Sequence, residues 1–173
     1  MLLAREFIAY LSRQFEAGVE AVQIFESFAS AIPRPFLEEW SLRPIRRIIE
    51  GVRNNVPEAR IIVFARGSGE LPWNLASATG AHAVGVDWAT DPLELKGRSS
   101  TTPLQGNLDP LALAVGGAPM RHAVARVMGG FSDRPHIFNL GHGVIPETPP
   151  ENVAELLRLV RSGGEEWRKA EAI

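Results

Sequence analysis

Apolar runs rich in β-branched residues alternate with segments of helical period along this chain. That alternation dictates a parallel sheet, because two strands joined through a helix must run in the same direction. Five runs read as strands: Val19–Phe25, Arg60–Phe64, Ala81–Val86, Thr102–Leu104 and His136–Leu140. The helical segments between them carry their own punctuation. Residues 2–17 repeat Leu3, Phe7, Ala9, Tyr10, Leu11 and Phe15 near the helical period and stop at Gly18. Residues 36–53 are divided by Pro44, tolerated only near a helix start. Beyond it Ile45, Ile48, Ile49 and Val52 form an apolar stripe, while Arg46, Arg47, Glu50 and Arg53 occupy a face read as solvated. A short helix is expected over 71–78, ending at Gly80.

Further on, Asp91-Pro92-Leu93-Glu94 has the form of a capping box, and Asp109-Pro110 opens a helical stretch that continues through 119–128. Thr148-Pro149-Pro150-Glu151 repeats the capping form ahead of a stripe of Val153, Leu156, Leu157 and Val160, with Gly163-Gly164 as the stop. The whole chain, 1–173, is read as one α/β domain with a frayed tail at 165–173. Two architectures fit: a complete five-stranded doubly wound sheet, or part of a (β/α)8 barrel, which needs about 250 residues when whole. Periodicity alone favours the first.

Composition narrows the function. The chain has no cysteine, which removes disulfides, thiolate metal sites and a cysteine nucleophile. A net charge of −2 speaks against nucleic acid as a partner. No run of about 18 apolar residues suggests a membrane span, and residues 1–14 lack the form of a signal peptide, so a cytoplasmic location is expected. Of the 18 basic residues only Lys96 and Lys169 are lysine.

Unusual polar and glycine residues gather after the strands: Phe25-Glu26-Ser27, Arg66-Gly67-Ser68-Gly69, Asp87-Trp88, Gln105-Gly106-Asn107 and Asn139-Leu140-Gly141-His142-Gly143. In parallel α/β folds the carboxyl ends of the strands form the functional rim. His142 between two glycines suits a polar contact or proton donor in a cleft, or a loop hydrogen bond. Asp87 suits a cap for the turn that follows it, or a catalytic carboxylate. Ser27 has no nucleophile elbow around it and reads as a hydrogen-bond donor to a ligand. His82, His122 and His136 read as structural. Gly67-Ser68-Gly69 starts like a phosphate cradle, but Pro72 stands at the third glycine's place. No metal-ligand spacing is present.

Longer stretches carry a resemblance. Gln105-Gly106-Asn107-Leu108-Asp109-Pro110, Ile137-Phe138-Asn139-Leu140-Gly141-His142-Gly143 and Thr148-Pro149-Pro150-Glu151-Asn152-Val153 resemble C-terminal signatures of the uroporphyrinogen decarboxylase family. So do Gln23-Ile24-Phe25-Glu26-Ser27 after Ala17-Gly18, Gly85-Val86-Asp87-Trp88, and Phe64 before Arg66-Gly67. The resemblance covers essentially the whole chain, but only the family's C-terminal half. It implies about five βα units of a (β/α)8 barrel, reversing the preference drawn from periodicity. It also implies decarboxylation, without a cofactor, of the four acetate side chains of uroporphyrinogen to give coproporphyrinogen for heme synthesis. His142 matches the family's cleft histidine, Ser27 its cleft serine, and Phe25 an apolar wall residue. Asp87, Gln105 and Asn139 match motif positions read as support for the rim. The tips of the five strands are expected to face one hollow lined by His142 and Ser27.

This sequence departs from the family at Phe28, at Ser30, where glycine is expected, and at Arg66, where lysine is common. The family's N-terminal arginine segment, its substrate-facing aspartate and its cleft tyrosine have no counterpart in these 173 residues. The expectation is therefore a chain inactive alone, completed by an N-terminal half, with homodimerisation a family habit. Two other readings stand beside it. A non-catalytic half-barrel would self-associate through its unpaired sheet edges. A corrinoid methyltransferase relative would need zinc held by cysteine and histidine.

Overall fold

The computed structural model describes residues 2–67, 72–97 and 102–162, which fall in two compact units, Met1–Gly85 and Val86–Ile173. The 165–173 tail, the Gly163-Gly164 stop and Ser68-Gly69 of the glycine-rich turn lie outside the described residues.

In the first unit, α1 (Leu2–Glu16) leads to β1 (Ala21–Glu26). Then come α2 (Arg43–Asn55), β2 (Arg60–Ala65), α3 (Pro72–Thr79) and β3 (Ala83–Gly85). β1 and β2 pair in parallel from Ala21 opposite Arg60 to Glu26 opposite Ala65, and β2 pairs in parallel with β3. The stripe expected on α2 is the heart of this unit: Ile49 and Val52 are fully buried, Ile45 and Ile48 nearly so. Each such side chain contributes about 1.5–3 kcal/mol of burial. The division at Pro44 is real, since a π-helical turn over Glu38–Leu42 runs into α2 with the proline in its first turn.

The α2 arginines are not all solvated, as the stripe pattern suggested. Arg46 Nε donates to the Ala78 carbonyl at 2.6 Å and Arg53 Nη2 to the Gly80 carbonyl at 2.7 Å. Both satisfy carbonyls at the C-terminal end of α3, where cations are favoured. The apolar pattern of α1 also divides differently. Leu11 and Ser12 are buried against α2, with Asn55 donating to Ser12 Oγ at 3.0 Å, while Leu3, Phe7 and Tyr10 lie exposed.

In the second unit, α4 (Pro92–Leu95) precedes β4 (Leu104–Leu108), followed by α5 (Pro110–Val115), α6 (Gly117–Gly130), β5 (His136–Leu140) and α7 (Pro150–Arg161). β4 and β5 pair in parallel from Leu104 opposite His136 to Leu108 opposite Leu140. Asp91 caps α4 by accepting from the Leu93 amide at 3.0 Å, and Asp109 caps α5 by accepting from Leu111 at 2.8 Å. The second capping box does not form: Pro149 is the cap residue of α7, and Thr148 Oγ1 is buried without a hydrogen-bond partner among the described residues.

The fourth strand corrects the sequence reading most. The expected strand ends at Leu104 with Gln105, Gly106 and Asn107 beyond it, yet these three lie inside β4 and are buried. A β-carbon on Gly106 would sit 2.6 Å from the Val86 carbonyl oxygen, so only glycine admits that approach. Within each unit, neighbouring strands are consecutive in sequence with no switch point, as in a barrel wall and unlike a doubly wound sheet. The chain is α/β, five βα units of a (β/α)8 architecture.

Candidate functional site

Each unit carries a cluster at the carboxyl ends of its strands. In the first, Phe25, next to last in β1, is 64% exposed, with its ring set edge-to-face on Phe64 at 5.9 Å. Ser27 follows, exposed, in a loop held at both ends by one residue of the next strand end. The Arg66 amide donates to the Glu26 carbonyl at 3.0 Å, and the Arg66 carbonyl accepts from Ser30 at 3.2 Å. The Glu26 carboxylate accepts from the Phe28 amide at 3.2 Å, which fixes the turn around Ser27. Phe25 and Ser27 are thus two exposed residues, two apart in sequence, at the carboxyl end of β1. Ser30, the departure at an expected glycine, lies against Gly67.

The second cluster is built on the turn after β3. Asp87 is buried, and its Oδ1 accepts from the Ala89 amide at 3.1 Å and the Thr90 hydroxyl at 3.2 Å. Of the two roles open to Asp87, the geometry shows the cap. Asn107 donates through Nδ2 to the carbonyls of Asp87, at 2.8 Å, and Thr90, at 2.7 Å. The turn so held presents Trp88, whose ring meets the His142 imidazole edge-to-face at 5.4 Å. Gly141 seats its α-carbon on the Trp88 backbone. His142 is exposed beyond β5, with the Trp88 indole against it.

The remaining sequence candidates separate. Asn139 lies exposed in β5, opposite Asn107 in register, and its Oδ1 accepts from the Leu140 amide at 2.8 Å. Gln105, the second residue of β4, is buried, and its carbonyl accepts from the Val86 amide at 2.7 Å, just before the Asp87 turn. Asn107 lies two residues further along β4. Sequence reasoning set Asn107 and Trp88 among the rim segments but gave neither a role. Their signal was present in the Gln-Gly-Asn and Val-Asp-Trp runs, but burial and a backbone target cannot be read from letters.

Two histidines read as structural are so. His136 Nε2 donates to the Gly106 carbonyl at 2.6 Å and packs on Phe131 at 4.5 Å; burial holds it below the usual imidazole value, partly opposed by that bond. His82 Nδ1 accepts from the Ile61 amide at 3.2 Å and lies 3.1 Å from Arg53 Nη2. Desolvation, then the charges of Arg53 and Arg60, lower its value.

Comparison with known proteins agrees with these strand-end motifs. The family model described as Uroporphyrinogen decarboxylase (URO-D) matches residues 1–163. A uroporphyrinogen decarboxylase of Granulibacter bethesdensis is 44% identical over 161 residues, covering 92% of this chain and 47% of the relative. One of Agrobacterium fabrum is 41% identical over 163 residues, covering 94% and 47%, and one of Sphingopyxis alaskensis is 41% identical over 157 residues, covering 90% and 46%. The chain thus spans about half the length of the curated relatives it matches. It belongs to the uroporphyrinogen decarboxylase family.

Proposed function

We propose that this chain forms the C-terminal part of a uroporphyrinogen decarboxylase that removes the acetate carboxyl groups of uroporphyrinogen to give coproporphyrinogen. The observation that supports it best is the exposed His142 imidazole, braced by Trp88 at the end of β5. The reaction needs an electron sink and a proton. Protonation of a pyrrole ring provides the sink, the C–CO2 bond breaks into it, and CO2 leaves. A proton then reaches the exposed methylene carbon as the ring proton is lost. His142 is assigned as the donor of that proton or the partner of a substrate carboxylate, Ser27 as a hydrogen-bond donor, and Phe25 as an apolar wall for the macrocycle. A positioned acid of this kind contributes about 10²–10⁴-fold in rate.

We assign the other half of the barrel as the partner. β1 pairs with β2 alone among the described residues, and beside it lies a groove of about 350 Å³ lined by Phe7, Tyr10, Phe25, Trp40, Ile45 and Ile48. Trp40 is 56% exposed and stacks on Phe36 at 4.5 Å. An apolar face of this kind beside an unpaired edge suits burial by another chain. The expected chemistry takes place in the cytoplasm, and homodimerisation of the completed barrel belongs to the same reading. No helix among the described residues is long and apolar enough to cross a membrane.

The test is conversion of uroporphyrinogen to coproporphyrinogen, followed by chromatography. It uses this chain alone, the chain mixed with the N-terminal half of the Granulibacter bethesdensis relative, and the same mixture carrying His142→Ala. Product from the mixture, lost in the variant, is expected. No product from a mixture that sediments as a complex overturns the decarboxylase reading. Sedimentation of the chain alone as a dimer that excludes the added half supports the self-associating alternative instead.

A further inference from the structure

We infer that Asn107 is a positioning residue for His142, acting through the turn that carries Trp88; its catalytic meaning rests on the decarboxylase reading. The two carbonyls that Asn107 Nδ2 reaches belong to Asp87 and Thr90, the two ends of a four-residue turn. Both amide hydrogens are therefore spent on one backbone loop, closing it from outside while Asp87 Oδ1 closes it from within. Asn107 is 3% exposed, so water does not compete for these bonds.

The same side chain carries a penalty. Its Oδ1 is buried with no hydrogen-bond partner among the described residues. An unpaired buried acceptor costs about 1–3 kcal/mol, which an apolar residue of similar size avoids. The amide is thus explained by its donors and by what they hold. That object is the Trp88 backbone, on which Gly141 rests, and the Trp88 indole, against which His142 stands. Asn107 also faces Asn139 across the strand pair, two residues before Gly141. One side chain so links the turn after β3 to β4, and through Trp88 to the segment carrying the imidazole.

The experiment is NMR of the chain itself. In the unsubstituted protein the Asn107 side-chain amide protons are expected to exchange with solvent at least ~10-fold more slowly than those of exposed amides, and nuclear Overhauser contacts are expected between Trp88 indole and His142 imidazole protons. Exchange as fast as that of exposed Asn139 overturns the proposal without any variant. Asn107→Asp keeps the shape and removes both donors; Asn107→Ala removes donors and orphan acceptor together, and should fold more readily. Loss of the Trp88–His142 contacts in whichever variant folds is expected, and their persistence at full strength overturns the role. In the reconstituted assay Asn107→Ala should lower kcat with KM within ~2-fold of the parent, since it acts through the turn that carries Trp88 rather than on uniform binding. Absence of all activity in a parent mixture that sediments as a complex leaves the NMR outcome intact and removes the decarboxylase reading alone.

Discussion

Gly141 and Trp88 approach so closely that a β-carbon on the glycine would lie 2.2 Å from the Trp88 amide nitrogen and 2.7 Å from its α-carbon. Backbone cannot yield as a flexible side chain does. Gly141→Ala should therefore destabilise the chain by about 1–3 kcal/mol, read as a lower urea midpoint, and should displace Trp88 from His142. A midpoint unchanged by this substitution contradicts the packing described.

Asn152 offers a second test, away from the site. Its Nδ2 donates to the carbonyls of Leu113, at 2.9 Å, and Ala114, at 3.1 Å, satisfying the last turn of α5 from the start of α7. Asn152→Ala should cost about 1–2 kcal/mol. Asn152→Asp should cost more, because an acceptor then faces two acceptors. Equal stability of the two variants in denaturant titrations argues against the donor role.

The sequence pattern made the α2 stripe, both aspartate caps and the parallel pairing legible, because each depends on spacing or on a neighbour a few residues away. It misplaced what depends on distant backbone. Gln105-Gly106-Asn107 reads as lying past a strand end because glycine and asparagine usually break strands, yet Val86 O fills the space beside Gly106 and the Asp87 and Thr90 carbonyls engage Asn107. Thr148 reads as a cap because of its letters, but Pro149 takes that place. Architecture was the other limit. Strand–helix alternation is shared by open sheets and barrels, and the family signatures around His142 decided between them.

Phe25 separates binding from stability. Its ring is mostly exposed, so Phe25→Ala removes little burial beyond the edge-to-face contact with Phe64, about 0.5–1.5 kcal/mol. If Phe25 walls the macrocycle, the same substitution should weaken binding of uroporphyrin, the stable oxidised analogue, about 10-fold, equivalent to about 1.4 kcal/mol. Fluorescence titration of the reconstituted protein provides the measurement. Unchanged affinity removes Phe25 from the site.

Acid should loosen both units through histidines outside the site. His82 Nδ1 accepts from the Ile61 amide, so its neutral form is the one that fits, and burial with Arg53 and Arg60 lowers its value below the usual 6.5. His136 is lowered chiefly by burial. For a group whose folded value is depressed, stability is complete above the unfolded value and declines as pH falls towards the folded one, because the unfolded chain takes up the proton first. The urea midpoint should therefore begin to fall as pH drops through about 6.5. Asp133, held at about 2 by the Arg134 guanidinium and then by the Gly97 amide, belongs to a separate, more acid window below the ordinary carboxylate range. His82→Asn keeps an acceptor where Nδ1 stood, and His136→Gln keeps a donor towards Gly106. The double variant should show a flatter profile between pH 7 and pH 5, within about a unit or two of the imidazole's ordinary value. A decline as steep as the parent's assigns the acid sensitivity to other groups.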